Sequence, residues 1–299
     1  MRPPEAEGRT VEADGFVIES SAGGAALVVT GPWSERAAIA LDSGKIQVLV
    51  LNYAHGFQEP DLTFLRPWPL RGLHLIGRHI RDLGPIRLLA DTLEDLSLQS
   101  DRKAKLDLSG FTRLQHLAAP HVTVRDTLDR LPALRSMVLL AYTAADLTSL
   151  AVHRRLEELT LKQAAKLESV AGVETLGHLS SLWIQLAPRL RDVAALASCA
   201  RSLQSLRLDL CRSLGRLDDL AALGELRFLE LGNCGELASF APLSGLARLE
   251  GLYAWGDTKA LDGDLSPLRG LPLRELRMQA RRSYRPSLAE LKSELGLHA

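Results

Sequence analysis

The sequence has few cysteines and few aromatic residues. It contains three cysteines, an odd number, together with four tryptophans, four tyrosines and six phenylalanines in 299 residues. Secreted domains that depend on disulfides are richer in paired cysteines, and a structural zinc site needs four ligands in closely spaced pairs. We therefore expect no metal and no cofactor, and we interpret the cysteines as buried thiols of a cytoplasmic protein.

The sequence also lacks an excess of charge and any long apolar run. Lysine plus arginine and aspartate plus glutamate both total 36, so the formal net charge is zero and a basic stripe for nucleic acid is missing. The longest apolar stretch near the start, residues 25–29, is too short to cross a membrane. Glu5, Glu7, Glu12 and Asp14 disfavour a signal peptide. We expect no nucleic-acid partner and no membrane contact.

What the sequence does contain is one phrase repeated eleven times between Ile46 and Met278, with apolar residues at positions 1, 4 and 6. Clear copies read LEDLSL (residues 93–98), LEELTL (156–161), LQSLRL (203–208) and LRFLEL (226–231). Successive copies begin 20 to 24 residues apart. A period of this length is typical of leucine-rich repeats.

The spacing within the phrase predicts a strand. The last two apolar residues are two positions apart, so they share one face of a strand, and the residues between and beside them share the other. A strand this short cannot bury its apolar face alone, so neighbouring copies must stack as parallel strands about 4.8 Å apart. In the return segments, Ala241-Pro242, Ser266-Pro267, Gly84-Pro85 and Arg66-Pro67 predict short helical or 3₁₀ starts.

Residues 46–280 resemble leucine-rich repeat proteins of the short, SDS22-like or internalin-like class. The resemblance implies an α/β repeat solenoid, a horseshoe with a parallel concave β-sheet and short 3₁₀ or helical convex segments, and it implies binding to other proteins through the concave sheet. One column departs from the family pattern. Asparagine is expected three residues after the third apolar position, but only Cys211 and Cys234 carry an accepted substitute there.

The two ends of the chain read as caps, because a terminal repeat would otherwise expose its core and an unpaired edge. Residues 1–45 are predicted to form an N-terminal cap, a β-hairpin followed by a short helix near residues 34–41. Residues 46–280 hold about eleven repeats, and residues 281–299 form a C-terminal cap helix. The helix begins with a capping box that runs from Ser287 to Glu290.

Aromatic residues concentrate on the predicted outward face of repeats 7 to 11. Aromatics and arginine surrounded by polar groups are typical of interface hot spots. We therefore predict a partner-binding site, and we interpret the protein as a non-enzymatic, monomeric module that binds a folded protein as an inhibitor, immunity factor or scaffold. The predicted site residues are Trp183, Arg207, Asp209, Phe228, Glu230, Tyr253, Trp255 and Arg277.

Two alternatives stay open. A tryptophan-rich platform would also suit peptidoglycan or another glycan. His74, Asp95 and His116 could form a hydrolase site around Ser97, although solvated polar residues of a sheet explain them as well. The sequence has no G-x-S-x-G, H-E-x-x-H or glycine-rich phosphate loop, so we do not expect an enzyme.

Overall fold

The computed structural model describes residues 11–13, 15–21 and 24–297. It divides the chain into two compact units, Met1–Leu134 (unit 1) and Arg135–Ala299 (unit 2). Residues 1–10 of the predicted N-terminal cap lie outside the described residues. Among the residues that are described, no helix combines the length and the apolar character that crossing a membrane requires.

Unit 1 begins with an antiparallel hairpin and continues as a ladder of parallel strands. Strands β1 to β3 pair antiparallel, and β3 then pairs parallel with β4, β4 with β5, β5 with β6 and β6 with β7. The strands are β1 (Val11–Ala13), β2 (Phe16–Ser21), β3 (Gly24–Val29), β4 (Ile46–Asn52), β5 (Gly72–Ile76), β6 (Asp95–Gln99) and β7 (His116–Pro120).

Helical segments in unit 1 are short. Helix α1 (Glu35–Asp42) lies between β3 and β4, and the side chain of Ser34 caps it by accepting a hydrogen bond from the Ala37 N–H. Helix α2 has a single turn (His121–Val124). The 3₁₀ segments are Tyr53–His55, Gly84–Leu89 and Leu128–Arg130.

Unit 2 has the same organisation without a hairpin. Its parallel strands are β8 (Ser136–Leu140), β9 (Glu158–Lys162), β10 (Ser181–Gln185), β11 (Ser205–Asp209), β12 (Phe228–Gly232), β14 (Gly251–Trp255) and β16 (Glu275–Met278). Two further short strands, β13 (Glu236–Leu237) and β15 (Lys259–Ala260), pair with each other. The 3₁₀ segments are Thr148–Leu150, Val173–Thr175, Ala194–Cys199, Asp218–Ala222, Ala241–Gly245 and Ser266–Leu268, and helix α3 (Leu288–Glu294) follows β16.

The register of the strands follows the repeated phrase. In unit 2 the fourth residues of successive phrases, Leu159, Leu182, Leu206, Leu229 and Leu252, pair directly across the ladder and are buried. The residues that alternate with the buried ones along each strand point outward, and in most strands they are at least partly exposed. Each unit is therefore a solenoid of parallel strands joined by 3₁₀ segments, which confirms the predicted fold class.

The proline signals are confirmed at three of the four sites that the sequence singled out. Segments Gly84–Leu89, Ala241–Gly245 and Ser266–Leu268 are 3₁₀ turns with proline near their starts. The prediction at Arg66-Pro67 is wrong, because no helix forms there. Pro67 and Pro69 both disfavour a helical conformation in the residue before them, so this stretch stays irregular.

Where the repeats lack the expected asparagine, other side chains make hydrogen bonds to the backbone of the turns. The thiol of Cys234 lies 3.3 Å from the Leu208 carbonyl, and the Thr258 hydroxyl donates to the Leu231 carbonyl while accepting from the Cys234 N–H. Cys199, Cys211 and Cys234 are buried free thiols, as predicted. Contact with Cys234, together with burial, raises the pKa of the Cys211 thiol.

Helix α3 carries the predicted capping box. The Ser287 side chain accepts a hydrogen bond from the Glu290 N–H, and the Glu290 carboxylate accepts one from the Ser287 N–H. Arg269 also donates two hydrogen bonds to Glu294, which ties the end of this helix to the last 3₁₀ segment. The capping box thus closes the amino end of the helix, and Arg269 attaches its carboxyl end to the body of unit 2.

Candidate interaction surface

The outward face of unit 2 presents three rows of side chains, one residue from each strand in every row. The middle row runs Val138, Thr160, Trp183, Arg207, Glu230, Tyr253 and Arg277. The row at the carboxyl ends of the strands includes Gln185, Asp209, Gly232 and Trp255. Because parallel pairing holds residues of one row about 4.8 Å apart, side chains that are 22 to 24 residues apart in sequence become neighbours.

Cations and aromatic rings alternate along this face. The Lys162 ammonium lies 5.0 Å from the centroid of the Trp183 ring, and the Arg207 guanidinium lies 5.8 Å from the Trp183 ring and 5.1 Å from the Phe228 ring. Distances within about 6 Å permit cation–π attraction. Arg207 therefore bridges two aromatic residues of different strands.

A second cluster continues the same face toward β16. The Phe228 and Tyr253 rings meet edge to face with their centroids 4.8 Å apart, and Arg277 lies 4.8 Å from the Tyr253 ring. The Tyr253 hydroxyl donates a hydrogen bond to Glu275, which raises the pKa of the tyrosine. These contacts hold Tyr253 upright between a cation and a carboxylate.

Phe228 and Tyr253 also border a groove of about 390 Å³. The groove has a glycine floor, because a Cβ on Gly251 would lie 2.8 Å from the Phe228 ring. Its walls carry both signs of charge. The lining residues are Arg227, Phe228, Glu250, Gly251, Tyr253, Arg274 and Glu275.

Two acidic residues of the predicted site have different surroundings. Glu230 forms an ion pair with Arg207 at 3.7 Å and accepts a hydrogen bond from the Trp255 indole at 3.1 Å. Asp209 was expected on an open surface, but only 8% of it is exposed. It accepts hydrogen bonds from the amide groups of Gln185 and Asn233 at 3.3 Å and 3.4 Å.

The structure brings all eight predicted residues onto one face of one unit. Four further residues in contact with them were not among the predicted site residues, although the repeat places three of them on the outward face. Lys162 and Gln185 occupy the same row as Asp209, and Glu275 pairs in register with Gly251, whereas Asn233 takes part through the geometry of its turn. We refer to the eight residues together with Lys162 as the aromatic–cation surface.

Unit 1 places the histidines of the alternative site near one carboxylate. The His74 Nε2 atom lies 3.2 Å from an Asp95 carboxylate oxygen, and Asp95 pairs in register with His116. Ser97 pairs in register with His74, but among the described residues no hydrogen bond joins these two side chains. Nor does the described part of the chain contain a group of three or more histidine, cysteine or acidic side chains placed to hold a metal ion.

No protein-family model and no curated protein sequence matches the chain. Among solved structures, it is similar to internalin C2 of Listeria monocytogenes (30% identity, 52% of this chain and 68% of that one, TM-score 0.43). It is also similar to internalin F of the same organism (19%, 71% and 68%, TM-score 0.45) and to a chain of the mouse RP105/MD-1 complex (18%, 71% and 42%, TM-score 0.45).

The class of the protein follows from its own repeats. Eleven phrases spaced 20 to 24 residues apart form in-register parallel strands joined by 3₁₀ segments in both units. The chain is a leucine-rich repeat protein.

Proposed function

We propose that this protein is a non-enzymatic interaction module that binds a folded protein through the aromatic–cation surface. The observation that carries the proposal is the alternation of cations and rings from Lys162 through Trp183, Arg207 and Phe228. Such a surface offers rigid apolar area and forked hydrogen-bond donors in one place, which is the composition of interface hot spots. Acting as an inhibitor, an immunity factor or a scaffold would each use the same surface.

The proposal extends to assembly and compartment. We propose a monomer that acts in the cytoplasm. Three buried cysteines that form no disulfide support that compartment, since disulfides are rare in reducing environments. Light scattering after gel filtration measures the mass directly, and 32.6 kDa is the expected value for one chain.

Affinity capture from the native cell tests the main proposal. The wild type is compared with a Trp183/Tyr253/Trp255→Ala variant, and captured proteins are identified by mass spectrometry. A matched control replaces three exposed apolar residues of unit 1, Ile39, Tyr53 and Leu88, by alanine. We expect the control to retain the partner and the surface variant to lose it at least tenfold. Equal recovery by the wild type and the surface variant would show that binding uses another face.

A hydrolase site is the second candidate, because the 3.2 Å contact between His74 and Asp95 resembles a base held by its orienting carboxylate. Screening against generic esters and phosphate esters tests it. An activity that is lost in His74→Ala but kept in Trp255→Ala would favour this candidate over the interaction module.

A further inference from the structure

Asp209 is a buried carboxylate without a cationic partner among the described residues. The ion pairs of the aromatic–cation surface use Glu230 and Glu275, and they leave Asp209 with two neutral amide donors. Burying a charge is unfavourable unless it is paired with an opposite charge. The outward face of unit 2 thus holds a negative charge that its own side chains do not neutralise.

Trp255 lies directly beside this carboxylate. A Cβ on Gly232 would lie 2.6 Å from the Trp255 ring and 2.8 Å from an Asp209 carboxylate oxygen. Ring and carboxylate therefore share the space above this glycine, and a larger residue there would displace one of them. Glycine at this position lets the indole ring and the carboxylate lie side by side.

The Trp255 ring is held in place and stays accessible. Its indole N–H donates to Glu230 at 3.1 Å, while 40% of the residue remains exposed. Asn233 adopts a left-handed backbone conformation with φ of 49°, and its amide donates to Asp209 from the turn. Two carboxylates and one exposed ring thus lie together on strands β11, β12 and β14.

We propose that this site, formed by Asp209, Glu230 and Trp255, receives an arginine side chain of the protein partner. The inference rests on the proposed function and adds the chemistry of the partner residue. A guanidinium group can stack on the exposed indole face while it donates hydrogen bonds to carboxylates. The ammonium group of lysine is more strongly hydrated than a guanidinium and has no flat face to stack on the indole ring, so lysine fits less well.

Charge complementarity selects this occupant over an acidic one. Both anions of the site, Asp209 and Glu230, would repel a carboxylate, and Arg207, the cation that pairs with Glu230, is already engaged by that carboxylate and two rings. An incoming arginine would neutralise the one carboxylate that lacks an ion pair. It would therefore act as an anchor in the centre of the aromatic–cation surface.

Short peptides test the inference without knowledge of the partner. The probes are acetyl-Gly-Arg-Gly-amide, acetyl-Gly-Lys-Gly-amide and acetyl-Gly-Glu-Gly-amide, titrated into the ¹⁵N-labelled full chain while the indole N–H resonance of Trp255 is followed by NMR. The resonance is assigned with Trp255→Phe. We expect saturable binding of the arginine peptide in the millimolar range, several-fold weaker binding of the lysine peptide and no binding of the glutamate peptide.

Variants separate charge from shape. Asp209→Asn should weaken the arginine peptide at least tenfold, while Asp219→Asn, which removes an exposed carboxylate elsewhere on unit 2, should leave its affinity unchanged. Gly232→Ala keeps every charge but displaces the Trp255 ring, so it should also weaken binding at least tenfold. If Asp209→Asn does not fold, Gly232→Ala carries the test alone.

Two outcomes would overturn the inference. One is binding of the glutamate peptide as tight as that of the arginine peptide, and the other is unchanged arginine affinity in Asp209→Asn or, where that variant does not fold, in Gly232→Ala. The affinity capture described above does not depend on this result. Loss of a partner in the triple variant, with no arginine binding, would refute the arginine site and leave the interaction surface in place.

Discussion

His121 is a buried imidazole at the first position of α2, and its surroundings disfavour the charged form. Burial is the main cause that lowers the pKa of His121 from 6.5 to about 4, and the nearby Arg125 adds to it. The unfolded chain binds a proton below pH 6.5, whereas the folded chain resists protonation until about pH 4. The free energy of unfolding must therefore fall as the pH drops through this window.

This residue makes the stability of unit 1 sensitive to acid. We expect the free energy of unfolding to decrease by up to about 3 kcal/mol between pH 6.5 and pH 4 on account of His121. Urea unfolding at a series of pH values measures the slope. His121→Gln, which remains neutral, should show a shallower decrease over the same window, and an identical slope in both proteins would contradict the assignment.

The turns that follow the strands of unit 2 store backbone strain. Five residues at equivalent positions adopt positive φ angles between 49° and 57° without being glycine: Ala141, Gln163, Leu186, Leu210 and Asn233. Left-handed conformation costs a non-glycine residue roughly 1 kcal/mol, and asparagine tolerates it better than leucine does. Leu186 is also 40% exposed, so its side chain contributes little packing in return.

Replacing Leu186 by asparagine should stabilise the protein. We expect a gain of about 0.5 to 1 kcal/mol in the free energy of unfolding, because the strain decreases and little apolar burial is lost. Chemical denaturation measures the change. Leu88→Asn is the control, since Leu88 is similarly exposed but lies in a 3₁₀ segment without a positive φ. A gain of the same size at both positions would show that strain is not the cause.

At the scale of elements, charges at the amino ends of the strands reinforce the register. Glu94 accepts hydrogen bonds from Arg71 at 2.6 Å and from Arg113 at 2.8 Å, with its side chain only 14% exposed. Arg135 pairs with Glu157, and Glu250 pairs with Arg227 and Arg274. A shift of one strand by a residue would separate these partners, so the pairs favour the observed alignment.

Removing the carboxylate of Glu94, which lies between Arg71 and Arg113, tests whether these ion pairs stabilise the alignment of the strands. The hydrogen bond from Arg71 is the main cause that lowers the pKa of Glu94, so its stabilising effect is present at neutral pH and is lost as the pH falls below 4.5. We expect Glu94→Gln to lower the free energy of unfolding of the protein by about 1 to 2 kcal/mol at pH 7. The difference from wild type should shrink in acid, and a difference independent of pH would exclude an ionic origin. Thermal unfolding at pH 7 and at pH 3 provides both values.

The sequence predicted those features of the fold that depend on periodicity. Leucines two positions apart define strands, and a constant interval aligns them, so the rows from Trp183 to Arg277 could be read directly. Apart from the 3₁₀ turns that proline marks, it did not predict the turns that follow the strands. Their conformation depends on which donor reaches a carbonyl in the neighbouring repeat, as Thr258 does for Leu231, and that choice leaves no regular spacing.

The candidate site was predictable to the same extent. Row positions follow from the repeat, so the spacing alone predicts that Trp183, Arg207 and Tyr253 lie in one row. Burial of Asp209 was not predictable, because it depends on the direction in which Trp255 leans over Gly232. A side chain that can rotate toward either neighbour has no signature in the sequence, although the glycine beneath it is a clue.

At the scale of the whole molecule, a repeat solenoid holds each repeat through its neighbours, and stability should therefore vary along unit 2. An interior strand such as β11 has a parallel partner on each side, β10 and β12. Strand β16 pairs with β14 on one side, and within the described residues no further strand joins its other edge. Local opening of β16 breaks one interface, whereas opening of β11 breaks two.

Hydrogen exchange should report this gradient. We expect the backbone amides of Glu275–Met278 to exchange at least tenfold faster than those of Ser205–Asp209, because the free energy of local opening is smaller where one repeat interface is lost than where two are lost. Mass spectrometry of peptic fragments after timed exchange measures both segments in one sample. Ser287→Ala, which removes the capping box of α3, should speed exchange in β16 further and leave β11 unchanged. Equal exchange rates in the two strands would mean that unit 2 opens as a single cooperative body rather than repeat by repeat.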